Sequence, residues 1–489
     1  MKKLRERTIL GGQRAWFGGL ALLGLVGCVG CSDDSTSDPT SNETQPILIG
    51  ALADQTGASK SESYQVALNL ATTHMNAALR QAGLSTIRFE MRVKDSQSLP
   101  DVAEMQAIAL INDDKVKGIV SDVSADTLRV NQLNYNQATP TERKVPITCY
   151  ACSAALFNDP SATNADPVLQ ATYRDEENWL YRVFFNGKYE AFAAARIMLN
   201  KPNGGDVNGD GNFKVSVYYP DGDAFGLSSS NSIEAAVKNL AADMPHSVER
   251  VIMPKGQDPT SYDWAKDLEL LTDDRNETTS EADGKPDAIY LALLPLLATA
   301  AVSAYHDGAY DIPLQAATAF RRNYILRAIQ DKAIGLEGGS PRVYARDEAG
   351  DAYADAYQIA AGDVPEMLSA YVYDCAVTLM LATLKAAVGL TDPTTVDPAD
   401  VRTQMLSVTD AAGELVLATP AGLARAATLI RDGMPINYSG ASGVGSWDSA
   451  GDTFPPLVHW TVVNDGSLRF REDEAYDCSP NEPTCRLEE

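Results

Sequence analysis

Positive charge is what this sequence has least of. Forty lysines and arginines face 66 acids over 489 residues, a formal net charge of −26. Five of the basic residues (Lys2, Lys3, Arg5, Arg7, Arg14) precede Gly27 with one acid, Glu6, which leaves about −30 for the rest of the chain. So acidic a surface repels phosphate backbones and anionic headgroups, which excludes nucleic acid as a partner. Histidine is scarcer still, with His74, His246, His306 and His459 far apart and without metal-ligand spacing. No glycine-rich phosphate loop and no serine-nucleophile motif occurs, so no catalytic set emerges and a non-enzyme is expected, with no cofactor. Beyond the N-terminus long apolar runs are missing, since Ala288 to Ala304 is interrupted by Tyr290, Pro295, Thr299 and Ser303.

What is present begins with an address. After the basic start, Ala15 to Val26 is an apolar run too short for a permanent span, and it closes in Leu25-Val26-Gly27-Cys28. A signal over 1–27, an acylated Cys28 and a polar tether over 28–45 make up the bacterial lipoprotein pattern. Cys31, three residues on, is the alternative acylation site. Burying acyl carbons at about 0.8 kcal/mol per methylene holds a soluble body on a membrane, so lipid is the expected membrane contact. Val29 stands where an aspartate would resemble an inner-membrane retention signal, which points to the periplasmic side of the outer membrane, with the inner membrane or cell surface as alternatives.

Export permits disulfides among the seven cysteines. Cys478 and Cys485 bracket a short polar tail and are expected to pair. Cys149 and Cys152 form a C-x-x-C between a strand and a helix, read as a local disulfide or paired thiols. A thiol-disulfide oxidoreductase is the alternative that this motif keeps open. Cys375 lies in an apolar helical pattern and reads as a small core residue. Asp206, Asn208 and Asp210 stand at the first, third and fifth positions of a calcium-type loop with Gly211 at the sixth, but Val217 replaces the bidentate glutamate at the twelfth. An acidic turn is expected there, with calcium as the alternative occupant.

The body alternates. Ile47 to Leu52 is a near-continuous apolar run suited to a strand buried on both faces, followed by a helical face of Leu68, Ala71, Met75 and Ala78. Ile87 to Lys94 alternates as a half-exposed strand. Helix 101–112, strand 116–121, a helix from Asp126 and strand 145–148 continue the pattern. After a loop-rich interval near 158–178 the rhythm resumes, with strands at 181–185, 214–219, 247–253 and 288–293 separated by helices. Two such runs predict two doubly wound, Rossmann-like α/β lobes rather than one barrel.

Several local strings, taken in this order, resemble the type I periplasmic binding proteins, especially the branched-chain amino acid (Leu/Ile/Val) receptors. They are Ile47 to Gly57 with the helix to Ala78, Lys117 to Ser124, Val145 to Leu156, Tyr181 to Phe184, Tyr218 to Gly226, and Tyr438 to Asp452. The resemblance implies a three-strand hinge, with 46–183 and 318–447 as lobe 1, 184–317 and 448–472 as lobe 2, and 473–489 as a disulfide-closed tail. It implies a small-molecule ligand in the cleft, an amino acid or a more apolar solute, and an ABC permease as partner. Carried over by position, Ser124 and the Ala125 amide face a ligand carboxylate, and Ala151 and Ser153 face an ammonium. Phe225, Thr318 and Phe320 stand where lobe 2 of such receptors offers an aromatic hydroxyl and an acid, a departure that favours a more apolar solute. A regulatory or scaffold lipoprotein of the same fold is the alternative.

The address is testable by acylation. Cys28→Ser is expected to lose metabolic palmitate label and leave the membrane fraction, while Cys31→Ser keeps both; label lost only with Cys31→Ser would move the anchor to that residue.

Overall fold

A computed structural model describes residues 45–135, 144–157, 175–273, 284–443 and 445–488. The signal, Cys28, Cys31 and the tether through Thr44 lie outside the described residues, as do 158–174 and most of the insertion near 273–285.

The first apolar run forms β1 (Ile47–Ala53), with six of its seven residues buried. Helix α1 (Ser63–Gln81) follows, burying the face of Leu68, Ala71, Met75 and Ala78 that the sequence periodicity marks. Then come β2 (Phe89–Asp95), α2 (Pro100–Asn112), β3 (Ile119–Val123), α3 (Ser124–Tyr135), β4 (Ile147–Ala151) and β5 (Leu180–Arg182). Their five strands form a parallel sheet in the order β2-β1-β3-β4-β5. The second run supplies α4 (Gly187–Leu199), β6 (Phe213–Pro220), α5 (Ala224–Leu240), β7 (His246–Met253), α6 (Trp264–Thr272), β8 (Ala288–Leu291), α7 (Pro295–Asp307) and β9 (Leu314–Ala316). A 3-10 turn over Thr318–Phe320, α8 (Asn323–Ile329) and β10 (Glu337–Pro341) complete its parallel part.

The chain then returns to the first sheet with α9 (Glu348–Ala361), α10 (Ser369–Ala387), α11 (Pro398–Gln404), a parallel pair β11 (Glu414–Leu417) and β12 (Ile436–Ser439), and the intervening α12 (Pro420–Arg431). It ends in the second sheet with β13 (Leu457–Asn464), β14 (Leu468–Ser479) and β15 (Glu482–Leu487).

Two expected boundaries move. Residues 318–341 stay with the second lobe, because β10 pairs in parallel with β9 and antiparallel with β13. The segment after 472 is no separate tail, since β14 and β15 extend the second sheet antiparallel to β13. Cys478 and Cys485 are bonded across that last hairpin. Gly338 explains the close strand packing at β10: a Cβ there would stand 2.2 Å from the Ala316 carbonyl oxygen and 2.6 Å from the Trp460 ring.

Helix α10 is long and apolar enough to cross a membrane, yet 89% of it is buried in the first lobe. Its one internal acid, Asp374, shows why it belongs there. The carboxylate accepts from Tyr438 Oη (2.7 Å), the amides of Ala441 (2.9 Å) and Ser442 (2.7 Å), and Ser442 Oγ (2.6 Å). Four donors satisfy a buried carboxyl that desolvation raises to about 6.

Three crossovers join the lobes, over 183–186, 342–347 and 440–456 by their flanking elements. They are tied to one another. Ala345 N–H donates to the Ala441 carbonyl at 2.8 Å, and Tyr371 Oη to the Arg342 carbonyl at 2.9 Å. Arg182, with 0% exposure, holds Asp452 through Nε at 2.6 Å and Nη2 at 2.7 Å, and reaches the Ala154 carbonyl with Nη1 at 2.7 Å. Trp447 Nε1 donates to the Arg182 carbonyl at 2.7 Å.

Removing one partner of such a pair leaves the other charge buried and unmatched. Asp452→Ala is therefore expected to lower stability by about 3–5 kcal/mol in urea unfolding, whereas Asp473→Ala, which breaks an exposed pair with Arg471, is expected to change it by less than about 1 kcal/mol.

Candidate ligand-binding site

Between the lobes lies a cleft at the carboxyl ends of the parallel strands, where amides and helix starts are free to meet a solute. From the first lobe it is lined by Ser59, Val123, Ser124, Ala151, Ser153 and Leu368, with Phe184 from a crossover. From the second lobe come Phe225, Leu294, Thr318, Ala319 and Arg322.

Each position has a local cause. Asp54, directly after β1, is fully buried and accepts from the amides of Gly57 (2.5 Å) and Ser59 (2.7 Å) and from Ser98 Oγ. That folds the β1–α1 loop back and sets Ser59 at the cleft. Ser124 opens α3 and its Oγ accepts from the Ala154 amide at 3.1 Å, joining the ends of β3 and β4. Gly187 opens α4 where its amide meets the Ser153 carbonyl at 2.6 Å, and a Cβ there would stand 2.7 Å from the same oxygen. Across the cleft, Asp223 caps α5 by accepting from Gly226 at 3.0 Å, which seats Phe225 in the first turn. Glu190 accepts from both the amide (2.5 Å) and the hydroxyl (2.6 Å) of Thr318.

Leu368 has φ +77°, a left-handed conformation a bulky side chain rarely adopts. The preceding carbonyl, that of Met367, receives Arg322 Nη1 at 2.5 Å. Further bonds cross between lobes, among them Leu296 N–H to the Ala58 carbonyl at 3.2 Å, Ala155 N–H to Ser228 Oγ at 2.8 Å and Asn323 N–H to Glu366 Oε2 at 3.0 Å. The lobes are thus drawn together, and the cleft leaves about 30 Å³ between them, roughly two water molecules.

The sequence model of the periplasmic binding protein family matches residues 46–427. The chain belongs to that family. Among solved structures it is similar to a leucine-binding protein of Thermotoga maritima, with 17% identity, a TM-score of 0.62 and coverage of 89% of this chain and 99% of that one. A branched-chain amino acid substrate-binding protein of Streptococcus pneumoniae, solved with isoleucine, gives 16%, 0.59, 88% and 100%. A solute-binding protein of R. palustris, solved with 4-hydroxybenzoate, gives 17%, 0.62, 89% and 98%. These likenesses show the type I periplasmic binding fold, and the family places the protein outside the cytoplasm. No curated protein is significantly similar to the chain.

Of the residues expected at the ligand, Ser124, Ala151, Ser153, Phe225 and Thr318 meet in this one cleft. Two do not. Ala125, expected to offer its amide, is not among the cleft lining and lines a separate outer groove with Leu99, Arg129 and Lys255. Phe320 is 1% exposed and stacks on Trp460 at 6.3 Å, since the 3-10 turn that aims Thr318 at the cleft sends Phe320 into the core of the second lobe. The acids near the ligand loops, Asp54 and Asp223, are occupied as loop and helix caps.

The other expected constellations resolve locally. Cys149 and Cys152 are bonded and each 0% exposed, which denies the access that thiol exchange needs. In the acidic loop the Asp206 oxygens accept from Gly209 (2.8 Å) and Gly211 (3.0 Å), and Asp210 Oδ1 from Asn212 (2.9 Å). The side chains brace their own turn in place of converging on calcium, and no metal-binding group of three His, Cys, Asp or Glu occurs among the described residues.

Sequence reasoning missed Arg322, the one charged residue among the described cleft lining. Its only signal was an arginine pair directly after an apolar strand in an acid-rich chain. Ser59, Phe184 and Leu368 were also missed, because loop closure and not periodicity brings them in.

Burial raises the Glu190 carboxyl to about 7 even though two Thr318 donors favour its anion. Its native pKa thus exceeds the ordinary 4.5, so the folded protein keeps a proton that the unfolded chain releases. The resulting stabilisation is full below about pH 4.5 and is lost as pH rises to about 7. Glu190→Gln, whose carbonyl can still accept from Thr318, is expected to flatten the stability profile over that window in urea titrations.

Proposed function

We propose that this protein is a lipid-anchored solute-binding receptor that captures a small organic molecule between its lobes and presents it to an ABC importer. The observation that carries the reading is the convergence in one closed cleft of ligand positions inferred separately from the two halves of the sequence. Ser124 and Ser153 offer hydroxyls from the first lobe, and Phe225 and Thr318 an aromatic face and a hydroxyl from the second. A solute that touches both sets favours the closed over the open arrangement by its differential contacts, which couples capture to a shape a permease can recognise. The relatives solved with isoleucine and with 4-hydroxybenzoate bracket the solute class, from amino acid to aromatic acid. Cys28 and the stalk behind it keep the receptor at its membrane.

A second reading draws on the small enclosed volume. Lobes already joined by Arg322–Met367, Leu296–Ala58 and Ala155–Ser228 bonds also suit a regulatory or scaffold protein that holds one shape for a protein partner.

The two readings separate by thermal shift. The full chain, unfolded in guanidinium to strip any carried solute and then refolded, is screened against amino acids, aromatic and aliphatic acids, amides and short peptides. A receptor is stabilised by RT ln(1 + [L]/Kd), and Ser124→Ala is expected to weaken the hit by about tenfold, one lost hydrogen bond. No stabilisation by any solute would favour the scaffold.

A further inference from the structure

The cleft has the wrong charge for an amino acid. An ammonium group needs an anion or an open π face, and the one charged side chain among the described cleft lining is a cation, Arg322. It is 2% exposed. Its Nη1 is held by the Met367 carbonyl and its guanidinium lies 6.0 Å from the Tyr64 ring centroid, but its Nε carries an N–H without a partner. A buried, unpaired guanidinium N–H is costly and calls for an explanation; Arg321 and Arg342 share the feature, but Arg322 is the one of the three that lines the cleft.

The acids that could neutralise it are engaged elsewhere. Asp54 caps its own loop. Asp122 and Asp126, beside Ser124, are both pushed toward the neutral form by burial, Asp126 further by Asp122 and both further by Asp54. Glu366 accepts the Asn323 amide at 3.0 Å and pairs with Arg327 at 3.5 Å. None of these stands at ion-pair distance from Arg322, although Glu366 and Tyr64 lie near enough to favour its charged form. The contrast with Arg182 is direct: there the Nε side of the fork takes a carboxylate in bidentate fashion, the geometry a guanidinium matches best.

The geometry points to Arg322 as the anchor for a carboxylate on the solute, and so to a monocarboxylic acid with an apolar body and no ammonium group as the ligand class. This rests on the receptor reading above. Phe184, Phe225, Leu294 and Leu368 provide walls for the apolar body, and Ser124, Ser153 and Thr318 provide hydroxyls for the remaining carboxylate lone pairs or a ring substituent. The cleft as it stands leaves only about 30 Å³, so the acid binds with the lobes further apart than here, and Arg322, carried by the second lobe, meets its carboxylate across the wider cleft.

The test uses the refolded full chain and calorimetry with five probes: benzoate, 4-hydroxybenzoate, 4-methylpentanoate, leucine and benzamide. The acids without ammonium are expected to bind, 4-methylpentanoate more tightly than leucine, and benzoate at least about tenfold more tightly than its neutral isostere benzamide. Arg322→Gln is expected to reduce the benzoate-to-benzamide affinity ratio to near one. Arg322→Lys, which keeps the charge but loses the fork, should retain part of the ratio and covers the case in which the glutamine variant does not fold. If Arg322 merely clamps Met367, both affinities fall together and the ratio stands, which overturns the proposal. Leucine binding more tightly than 4-methylpentanoate overturns the ligand class while leaving the receptor intact. Binding of none of the probes, together with silence across the wider solute screen, overturns the receptor reading and this one with it.

Discussion

One buried ion pair holds the working parts of this molecule in register. Arg182 ends the last strand of the first sheet, Asp452 sits in the third crossover, and the remaining arm of the guanidinium grips the carbonyl of Ala154 on a cleft loop. A guanidinium with no exposure costs least when each of its nitrogens finds an acceptor, as here. Those same bonds connect the hinge to the floor of the cleft. The loop that carries Ser153 is thereby fixed relative to the pivot, and its other neighbours, Ser124 through Ala154 and Gly187 through Ser153, inherit the placement. Asp374 does the parallel service for the start of the third crossover, with four donors from Tyr438, Ala441 and Ser442.

Against that rigid pivot the cleft is chemically lopsided. One lobe contributes small hydroxyls with Val123 and Leu368, the other an aromatic ring, Leu294, a threonine oriented by a buried acid, and a single cation. Family membership explains the shape and says nothing of this charge. Sign, in a desolvated cleft, discriminates more sharply than shape does, because an unmatched charge is penalised far more heavily than a missing methylene.

Much of this was legible in the sequence where periodicity is strong. The apolar run at β1, the helical face of α1 and the alternation at β2 each state their burial in their residue order. What was not legible is what tertiary pairing decides. Strand β9 is three residues long and β10 contains Gly338 and Gly339, so neither announces itself, and with them went the boundary at 318. Strand β14 carries Arg469, Arg471, Glu472, Asp473 and Glu474, a charged run across which the tail boundary was drawn at 472 because its pairing with β13 is not visible in the residue order. Within the site, Ser124, Ser153 and Phe225 follow strand ends and so could be placed by position. Phe320 could not: a one-residue rotation in a 3-10 turn decides whether a side chain faces the cleft or the core, and Thr318 took the cleft.

The enclosed volume of the cleft bears on time as well as on space. With the cleft narrowed to about 30 Å³ and hydrogen bonds crossing from lobe to lobe, a solute larger than a couple of water molecules needs the lobes to part before it can come or go. Residence is then governed by how often the hinge yields, and chemically different guests share one exit rate so long as opening is the slow step. A downstream membrane partner that pries the lobes apart would act on that rate directly, and unloading would become a property of the encounter rather than of the solute.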